Sequence, residues 1–299
     1  MQKKEIINIV KNALREDAAD RDITTQALIP LDLRAAARII TKENGVVCGL
    51  SIAELAFKLL DKNIKFKAKV KDGAVIKNGS CLAEIYGRAR PILSAERTAL
   101  NFLGNLCGIA AFTRQFVEKV KPYKTKILDT RKTTPNLRIL EKYAVRCGGG
   151  FNYRFDLSEQ ILVKDNHIRI TNDKLQMANL KYVVEAVRKN VKGKKIEIEV
   201  DNLRQFKEVI AVAPDIIMLD NFNLSDIKKA VKIKNRSPVI PLRAQASHRS
   251  PVKLEASGGI TLRNIKKVAA TGVDFISIGA LTHSVKSLDL SLEITKKSA

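Results

Sequence analysis

The first part of the chain combines extended and helical patterns. Residues 33–50 and 64–87 alternate between apolar and polar positions with a period of two around glycine turns, which is typical of antiparallel strands. Helical periodicity predicts helices near residues 3–16, 51–61 and 94–118. The region therefore mixes helices with antiparallel strands.

From about residue 125 the pattern changes to short apolar strands, most of them followed by a helical stretch. The series reads KILD before 136–146, ILVK before 173–190, KIEIEV before 202–212, IIMLD before 224–234, VKLEAS before 261–270, and finally FISIG. Repeats of this kind predict a parallel sheet, and closure into a barrel would protect its edges.

The stretch 235–251 breaks this rhythm, since it holds three prolines and three arginines without an apolar period. We interpret it as an extended loop. Because it precedes a strand, we expect it at the bottom of the barrel, the face associated with stability rather than chemistry.

Composition adds that the 299-residue chain, 45% hydrophobic, can close a sizeable core. No run of 18 apolar residues is present, and the first residues form an amphipathic helix rather than a leader. We therefore expect a cytoplasmic protein without a membrane segment. The cysteines Cys48, Cys81, Cys107 and Cys147 stand singly, so the spacing predicts free buried thiols rather than a disulfide framework or a zinc knot.

The net charge of +23 favours anionic partners, either a nucleic acid or a small polyanionic substrate. Positive charge is dense in residues 129–154, which carry six cations against two acids around three consecutive glycines. Against nucleic acid stand the absence of Trp, 5% aromatic residues and basic residues that are spread along the chain.

Polar residues follow each predicted strand of the second region, where barrels of this type place their reacting groups. These positions are Asp129 to Lys132, Lys164 to His167, Glu199, Asp220 and Asn221, Glu255 to Gly259, and Gly279 with Ala280. The small residues in ASGGI and SIGAL let backbone N–H groups approach and cradle a phosphate. A single charged residue there merely marks where a strand meets water, but six strands ending this way favour a site.

The cations of these segments divide by physical role. Arg97, Arg131 and Arg154 offer planar forks that match carboxylates or phosphates, whereas Lys132 and Lys164 are compact point charges. Several anionic groups on the ligand are therefore implied.

Glu199 and Asp220 end successive strands, so their oxygens are expected to converge and hold a hard divalent cation such as Mg²⁺; alternatively, each pairs with a nearby Lys or Arg. Among the histidines, His283 follows the predicted phosphate loop and is the best placed to contact an anion. We interpret His167 as a structural hydrogen-bonding residue and His248 as a surface residue.

These residues carry a family resemblance that runs, in order, from about residue 13 to 292. The motifs are ALREDAADRDITT, AERTALNFLGNLCGIA, DTRKTTPNLRILEKYAVRCGGGFNYR, ILVKDNHI, IEIEV, IMLDN, LEASGGI and GVDFISIGALTHSVKSLDLSL. Together they closely resemble the quinolinate phosphoribosyltransferases, the carboxylating nicotinate-nucleotide pyrophosphorylases of NAD biosynthesis.

The resemblance implies an α/β fold in which an N-terminal α/β sandwich domain accompanies an incomplete α/β, TIM-like barrel. The sandwich would span residues 1–115 and the barrel residues 116–284, with the tail 285–299 packing on the sandwich. It also implies a homodimer, or a multiple of dimers, with active sites shared across the interface.

The implied reaction joins quinolinate to phosphoribosyl pyrophosphate and releases pyrophosphate and CO₂, with Mg²⁺ and no organic cofactor. By the same resemblance, Lys132, Lys164, Glu199 and Asp220 would be catalytic, the two acids as metal ligands. The implied substrate-binding residues are Arg97, Thr130, Arg131, Lys132, Tyr153, Arg154, Lys164, Glu199, Asp220, Ser257, Gly258, Gly259, Gly279, Ala280, Leu281 and His283.

The chain departs from the family pattern at Tyr153, where the family has His, and at Arg21, where it has Gly. A tyrosine can donate one hydrogen bond but cannot carry the positive charge of an imidazolium. A related phosphoribosyltransferase of the same fold, of the kind found beside molybdate transport, is the nearest alternative function. Retention of Arg97, Arg131, Lys132 and Lys164 favours quinolinate as the substrate.

Overall fold

A computed structural model describes residues 2–170, 180–236 and 251–298. The helices are α1 Gln2–Glu16, α2 Ile23–Leu28, α3 Leu50–Leu60, α4 Ala89–Val120, α5 Arg138–Cys147, α6 Asp165–Ile170, α7 Leu180–Asn190, α8 Leu203–Ala211, α9 Leu224–Arg236, α10 Ile265–Ala269 and α11 Ala280–His283. The strands are β1 Arg34–Thr41, β2 Gly45–Val46, β3 Lys65–Ala68, β4 Val75–Ile76, β5 Cys81–Arg88, β6 Lys126–Leu128, β7 Ile161–Val163, β8 Ile196–Val200, β9 Ile216–Asp220, β10 Lys253–Ser257, β11 Phe275–Ser277 and β12 Leu290–Ser298.

Residue contacts divide the chain into two compact units. Unit 1 comprises Met1–Gln115, Lys132–Gly150 and Gly279–Ala299, and unit 2 comprises Phe116–Arg131 and Phe151–Ile278. The domain limits expected from the family resemblance stay a prediction.

Unit 1 is built on an antiparallel sheet with the order β12-β1-β5-β3. Its strands follow the alternation seen in the sequence: in β1, Ala35, Ala37 and Ile39 are buried, whereas Arg34 and Arg38 face solvent. One face of the sheet is thus apolar and buried, as the period-2 pattern predicts. The last strand, β12, pairs along the whole length of β1.

The short helix α2 begins with a side-chain cap. The Oδ1 of Asp22 accepts a hydrogen bond from the backbone N–H of Thr25 at 3.0 Å, and its Oδ2 accepts one from the Ser94 hydroxyl at 3.0 Å. These bonds hold the pKa of Asp22 below its usual range, the contribution of Thr25 being the largest. The aspartate of the N-terminal motif therefore keeps its capping geometry next to Arg21.

Unit 2 contains a six-stranded parallel sheet with the order β6-β11-β10-β9-β8-β7. Strand β9 is a nearly continuous apolar run, in which the residues from Ile216 to Leu219 are buried and Asp220 ends the strand. Such runs are typical of parallel strands covered on both faces. Strands β6 and β7 lie at the two edges of this order, which confirms the incomplete α/β barrel that the family resemblance implied.

Parallel register sets the strand ends side by side. Asp220 of β9 pairs with Ser257 of β10, and the residue pairs of β8 and β9 place Glu199 beside Met218. The predicted strand–helix series is confirmed for the described residues. Residues 237–250, which include His248 and most of the predicted loop, lie outside them, as do residues 171–179. Within the described part of the chain, no helix is both long enough and apolar enough to span a membrane.

Candidate active site

Three carboxylates meet at the carboxyl ends of β8 and β9. One oxygen each from Glu199, Asp201 and Asp220 lies within 4.8 Å of the other two. Burial raises the pKa of Glu199, Lys164 opposes the rise, and the negative charge of Asp220 adds to it. The predicted convergence of Glu199 and Asp220 is confirmed. Asp201 also belongs to this group and was not predicted from the sequence.

Lys164 completes this group, because its Nζ lies 3.4 Å from Oε2 of Glu199. We refer to Lys164, Glu199, Asp201 and Asp220 as the strand-end cluster. The lysine side chain is about half exposed, whereas that of Glu199 is largely buried. The backbone N–H of Lys164 donates to Nδ1 of His167 at 2.9 Å. That bond gives His167 the structural role predicted from the sequence.

A glycine turn lies next to the strand-end cluster. Asn221 adopts a positive φ of 54°, its N–H donates to the Ser257 carbonyl at 2.8 Å, and its side-chain amide donates to Oδ2 of Asp220 at 2.8 Å. Gly258 has φ +85°, and a Cβ there would overlap Oδ1 of Asn221. Glycine is thus required on two grounds, while Gly259 at φ +61° has open space around it.

A second group of polar side chains lies inside unit 2. The Tyr153 hydroxyl donates to Oε2 of Glu197 at 2.6 Å, and the Gln160 amide donates to the same oxygen at 2.7 Å. Arg154 is 8% exposed and donates from Nη1 to the Gln160 carbonyl at 2.9 Å. Its guanidinium carbon lies 5.7 Å from the centre of the Tyr153 ring. The substrate-binding roles of Tyr153 and Arg154 stay predictions, and their side chains face this interior network.

Two buried carboxyls belong to that network. Glu197 and Glu255 are both 0% exposed. Burial raises the pKa of Glu197 to about 7, against the opposing effects of Tyr153 and Arg154. Burial together with the neighbouring Glu197 raises the pKa of Glu255 well above its usual range. Close carboxyls in such surroundings keep a proton near neutral pH.

The predicted phosphate segment after β11 belongs to unit 1. A Cβ on Gly279 would lie 3.0 Å from Cδ of Lys132 and 3.1 Å from Nε2 of His283, so these three residues are neighbours. The Thr282 hydroxyl donates to the Lys132 carbonyl at 2.7 Å. Leu281 is fully buried and anchors α11, while Ala280 begins that helix. The structure thus brings a lysine, an imidazole and a glycine together, and their binding of phosphate stays a prediction.

The remaining predicted residues are placed as follows. Thr130 and Arg131 follow β6 and are partly exposed. Arg97 is exposed on α4, and among the described residues it has no hydrogen bond or ion pair within its own chain. Its nearest acid in sequence, Glu96, has a pKa raised by burial, with Arg97 opposing the rise. Among the described residues, Arg97 and Glu96 therefore interact electrostatically but do not form an ion pair that would fix the helix.

Two acidic residues, Glu197 and Asp201, were not predicted as site residues, although the sequence contains a signal for each. In IEIEV, Glu197 and Glu199 stand two residues apart and hence on the same face of β8, which the strand period of two predicts. Asp201 directly follows the same strand. Glu255 and Asn221 were among the predicted strand-end residues, and the structure adds that Glu255 is buried and that the Asn221 amide donates to Asp220.

Comparison with known proteins supports the family resemblance seen in the sequence. The sequence model described as quinolinate phosphoribosyl transferase, C-terminal domain, matches residues 109–293, and that of the N-terminal domain matches residues 22–125.

Individual relatives match over nearly the whole chain. A probable carboxylating nicotinate-nucleotide pyrophosphorylase of Bacillus subtilis is 39% identical, covering 99% of this chain and 94% of the relative. One of Methanocaldococcus jannaschii is 40% identical, covering 99% of both chains. The solved structure of the nicotinate-nucleotide pyrophosphorylase from Francisella tularensis has a TM-score of 0.86 at 40% identity, covering 98% of this chain and 96% of that one. The chain belongs to the quinolinate phosphoribosyl transferase family.

Proposed function

We propose that the protein transfers the phosphoribosyl group of phosphoribosyl pyrophosphate to the ring nitrogen of quinolinate in NAD biosynthesis. The products are nicotinate mononucleotide, pyrophosphate and CO₂. The strand-end cluster carries the proposal, because its converging acids and its lysine lie beside a glycine turn in a chain that matches this family throughout.

Charge balance explains the cations. Quinolinate brings two carboxylates, and the second substrate brings a phosphate and a pyrophosphate. Burying such groups without partners costs several kcal/mol each. We expect Arg131 and Lys164 to supply the counter-charge and the backbone at Gly258 to receive phosphate oxygens. Lys132, Arg154 and Gly279 stay predicted substrate-binding residues.

The donor set of the strand-end cluster fits a hard divalent cation. Glu199, Asp201 and Asp220 offer carboxylate oxygens that converge within 4.8 Å, and Mg²⁺ binds through one or two carboxylates together with substrate phosphates. When bound there, the ion would neutralise charge on the leaving pyrophosphate.

The chain's own residues position the two substrates for the reaction. The lone pair of the pyridine nitrogen forms a bond to the anomeric carbon, and the pair of the broken C–O bond leaves with pyrophosphate. Glu199 and Asp220 hold the ribose, while Lys164 and Arg131 fix the acid so that its nitrogen faces that carbon. The cationic ring then accepts the electron pair released when the adjacent carboxylate leaves as CO₂, and a proton takes its place.

The test is formation of nicotinate mononucleotide from quinolinate, phosphoribosyl pyrophosphate and Mg²⁺. Lys164→Ala should lower kcat/KM by about two to four decades, since the lysine is proposed to face a substrate carboxylate that is buried on binding, and removing one partner of such a pair costs about 3–5 kcal/mol. Lys234→Ala is the matched control, because Lys234 also pairs with an acid, Asp274 at 2.6 Å, at the amino ends of the strands. No product from the wild-type protein, or equal losses in both variants, would refute the proposal.

The assembly is a second part of this proposal: a homodimer in which Arg97 serves the partner's site. The exposed position of Arg97 supports it, as does the absence of a hydrogen bond or ion pair from Arg97 among the described residues. Mixed dimers of Arg97→Ala and Lys164→Ala chains, each inactive alone, should recover about a quarter of wild-type activity, because half of the dimers hold one intact site. Heterodimers that are verified and stay inactive would show that Arg97 serves its own chain. A cytoplasmic location stays a prediction.

A further inference from the structure

Two cysteines and an aspartate from distant parts of the sequence meet in unit 1. Cys48 follows β2, Asp72 lies between β3 and β4, and Cys147 ends α5. The sulfur atoms of the two cysteines and an oxygen of the aspartate all lie within 4.8 Å of one another. We call Cys48, Asp72 and Cys147 the thiol cluster. The four cysteines are free, as their single spacing predicted, and Cys48 and Cys107 are buried. That spacing did not indicate that Cys48 and Cys147 lie near one carboxylate.

The carboxylate of the thiol cluster is held in a fixed orientation. Oδ2 of Asp72 accepts hydrogen bonds from the N–H of Gly49 at 3.0 Å and from the Tyr143 hydroxyl at 2.8 Å, and Oδ1 accepts one from the N–H of Leu50 at 3.3 Å. The longer bond leaves Oδ1 the less committed oxygen. Outer partners of this kind orient the ligands of metal sites.

The sulfur positions are also constrained. The N–H of Cys48 donates to Sγ of Cys107 at 3.2 Å, and the Cys107 thiol donates to the Cys48 carbonyl at 3.5 Å, which fixes the backbone that carries Cys48. Cys147 is partly exposed, so the cluster can be reached from solvent.

A purely structural role explains only half of this arrangement. Capping the first N–H groups of α3 needs the Asp72 carboxylate, but it does not need two sulfur atoms directed at the same carboxylate. Thiolate together with carboxylate is a donor set of mixed softness, which suits zinc and related ions better than Mg²⁺.

We propose that Cys48, Asp72 and Cys147 bind one borderline divalent transition-metal ion of the Zn²⁺ type through two sulfurs and one carboxylate oxygen. The two thiols release their protons to solvent when the ion binds, and a fourth position stays open to water. The site is separate from the strand-end cluster and does not rest on the proposed function.

Cobalt(II) is the probe, because thiolate ligands give it a near-ultraviolet charge-transfer absorption that oxygen ligands do not. The reduced wild-type protein should take up one Co²⁺ per chain with this absorption, and Zn²⁺ should displace it. Binding at the strand-end cluster would remain silent, since its donors are oxygens and a lysine.

Variants assign the ligands. Cys147→Ser and Asp72→Asn should remove the absorption or weaken binding at least about tenfold, and Tyr143→Phe, which loses the outer hydrogen bond, should weaken it by about tenfold. Cys81→Ser is the matched control, because the Cys81 thiol donates instead to the Ala83 carbonyl and lies on β5. Melting curves with chelator present establish that each variant is folded.

Three results would overturn the proposal. They are a wild-type protein that binds Co²⁺ without the charge-transfer absorption, a folded Cys147→Ser variant that keeps it, and a thiol count showing that Cys48 and Cys147 form a disulfide in place of metal binding. Because cobalt absorption rather than turnover is measured, an inactive but metal-binding protein would refute the proposed function alone.

Discussion

The strand-end cluster combines three carboxylates with a lysine, and the thiol cluster combines one carboxylate with two cysteines, yet the chain assembles them differently. The first draws its acids from the ends of successive parallel strands, β8 and β9, so the repeat that builds the sheet also delivers the site. The second draws on two loops and a helix end that are separated by 24 and 75 residues, the differences between positions 48, 72 and 147. Regular topology makes one cluster readable from sequence, and irregular topology hides the other.

The clusters should also differ in what they control. The strand-end cluster holds charges next to a glycine turn and is proposed to act on substrates. The thiol cluster is tied into the start of α3 through backbone hydrogen bonds. Substitutions in the first should therefore affect rate, and substitutions in the second should affect stability and metal binding.

The largest effect is expected for Asp220→Asn and Glu199→Gln. Each removes a charge at the strand-end cluster and should lower kcat/KM by about two to four decades, equivalent to about 3–5 kcal/mol. Steady-state kinetics with both substrates measures this, and Glu208→Gln on the exposed side of α8 is the control. Activity within tenfold of wild type in both variants would remove the strand-end cluster from the mechanism.

A smaller effect is expected for Gly258→Ala. Its Cβ would press on Asn221, which orients Asp220, so KM for phosphoribosyl pyrophosphate should rise at least about tenfold, or about 1.4 kcal/mol. Gly79→Ala is a matched control for backbone strain, since Gly79 has φ +81° and no neighbour within 4 Å. If both variants show the same KM, the turn does not bind the phosphates.

The variant Asp72→Asn should show the opposite behaviour, with a loss of stability and almost no loss of activity. Loss of the charge that accepts two N–H groups and the Tyr143 hydroxyl should lower the free energy of unfolding by about 1–3 kcal/mol. With chelator present, kcat/KM should stay within about threefold of wild type, since 0.6 kcal/mol is roughly that factor. Urea unfolding and initial rates on the same preparation test both statements, and a rate loss above tenfold without loss of stability would contradict them.

A further expected effect concerns the pH dependence of stability. The native pKa of Glu255 lies above its unfolded value near 4.5 because the side chain is buried beside Glu197. The stability linked to this proton is therefore fully present below about pH 4.5 and is lost as pH rises through the native pKa, at up to about 1.4 kcal/mol per pH unit. Glu255→Gln cannot titrate and should flatten this decline between pH 5 and 8.

Denaturant unfolding across that pH range gives the comparison, and Glu16→Gln at an exposed position of α1 is the control. An unchanged slope in Glu255→Gln would mean that Glu255 is already ionised in the native protein.

Much of the fold followed from pattern because its signals are local. The strands of unit 2 are segments of three to five mostly apolar residues, and polar residues at or near their ends, such as Glu199 and Asp220, mark where the loops begin. Boundaries were less well predicted: α4 spans Ala89–Val120, whereas periodicity predicted 94–118, because its first turn contains Pro91, a residue that helices tolerate there.

Individual side-chain partners could not be predicted in the same way. Tyr153 was identified as a departure from the family, but nothing in its neighbours along the chain indicates that its hydroxyl donates to Glu197, 44 residues away. Such a bond depends on how β8 lies beside the segment that carries Tyr153.

The sequence by itself determined the family, the parallel strand–helix series and the positions of the cationic residues that we propose to counter an anionic substrate, since each of these is encoded in residue order. Only the tertiary structure decided that Asp201 joins Glu199 and Asp220, that Glu197 and Glu255 are buried together, and that two distant cysteines share a carboxylate. These are distances between segments far apart in the chain, and they follow from packing rather than from spacing along it.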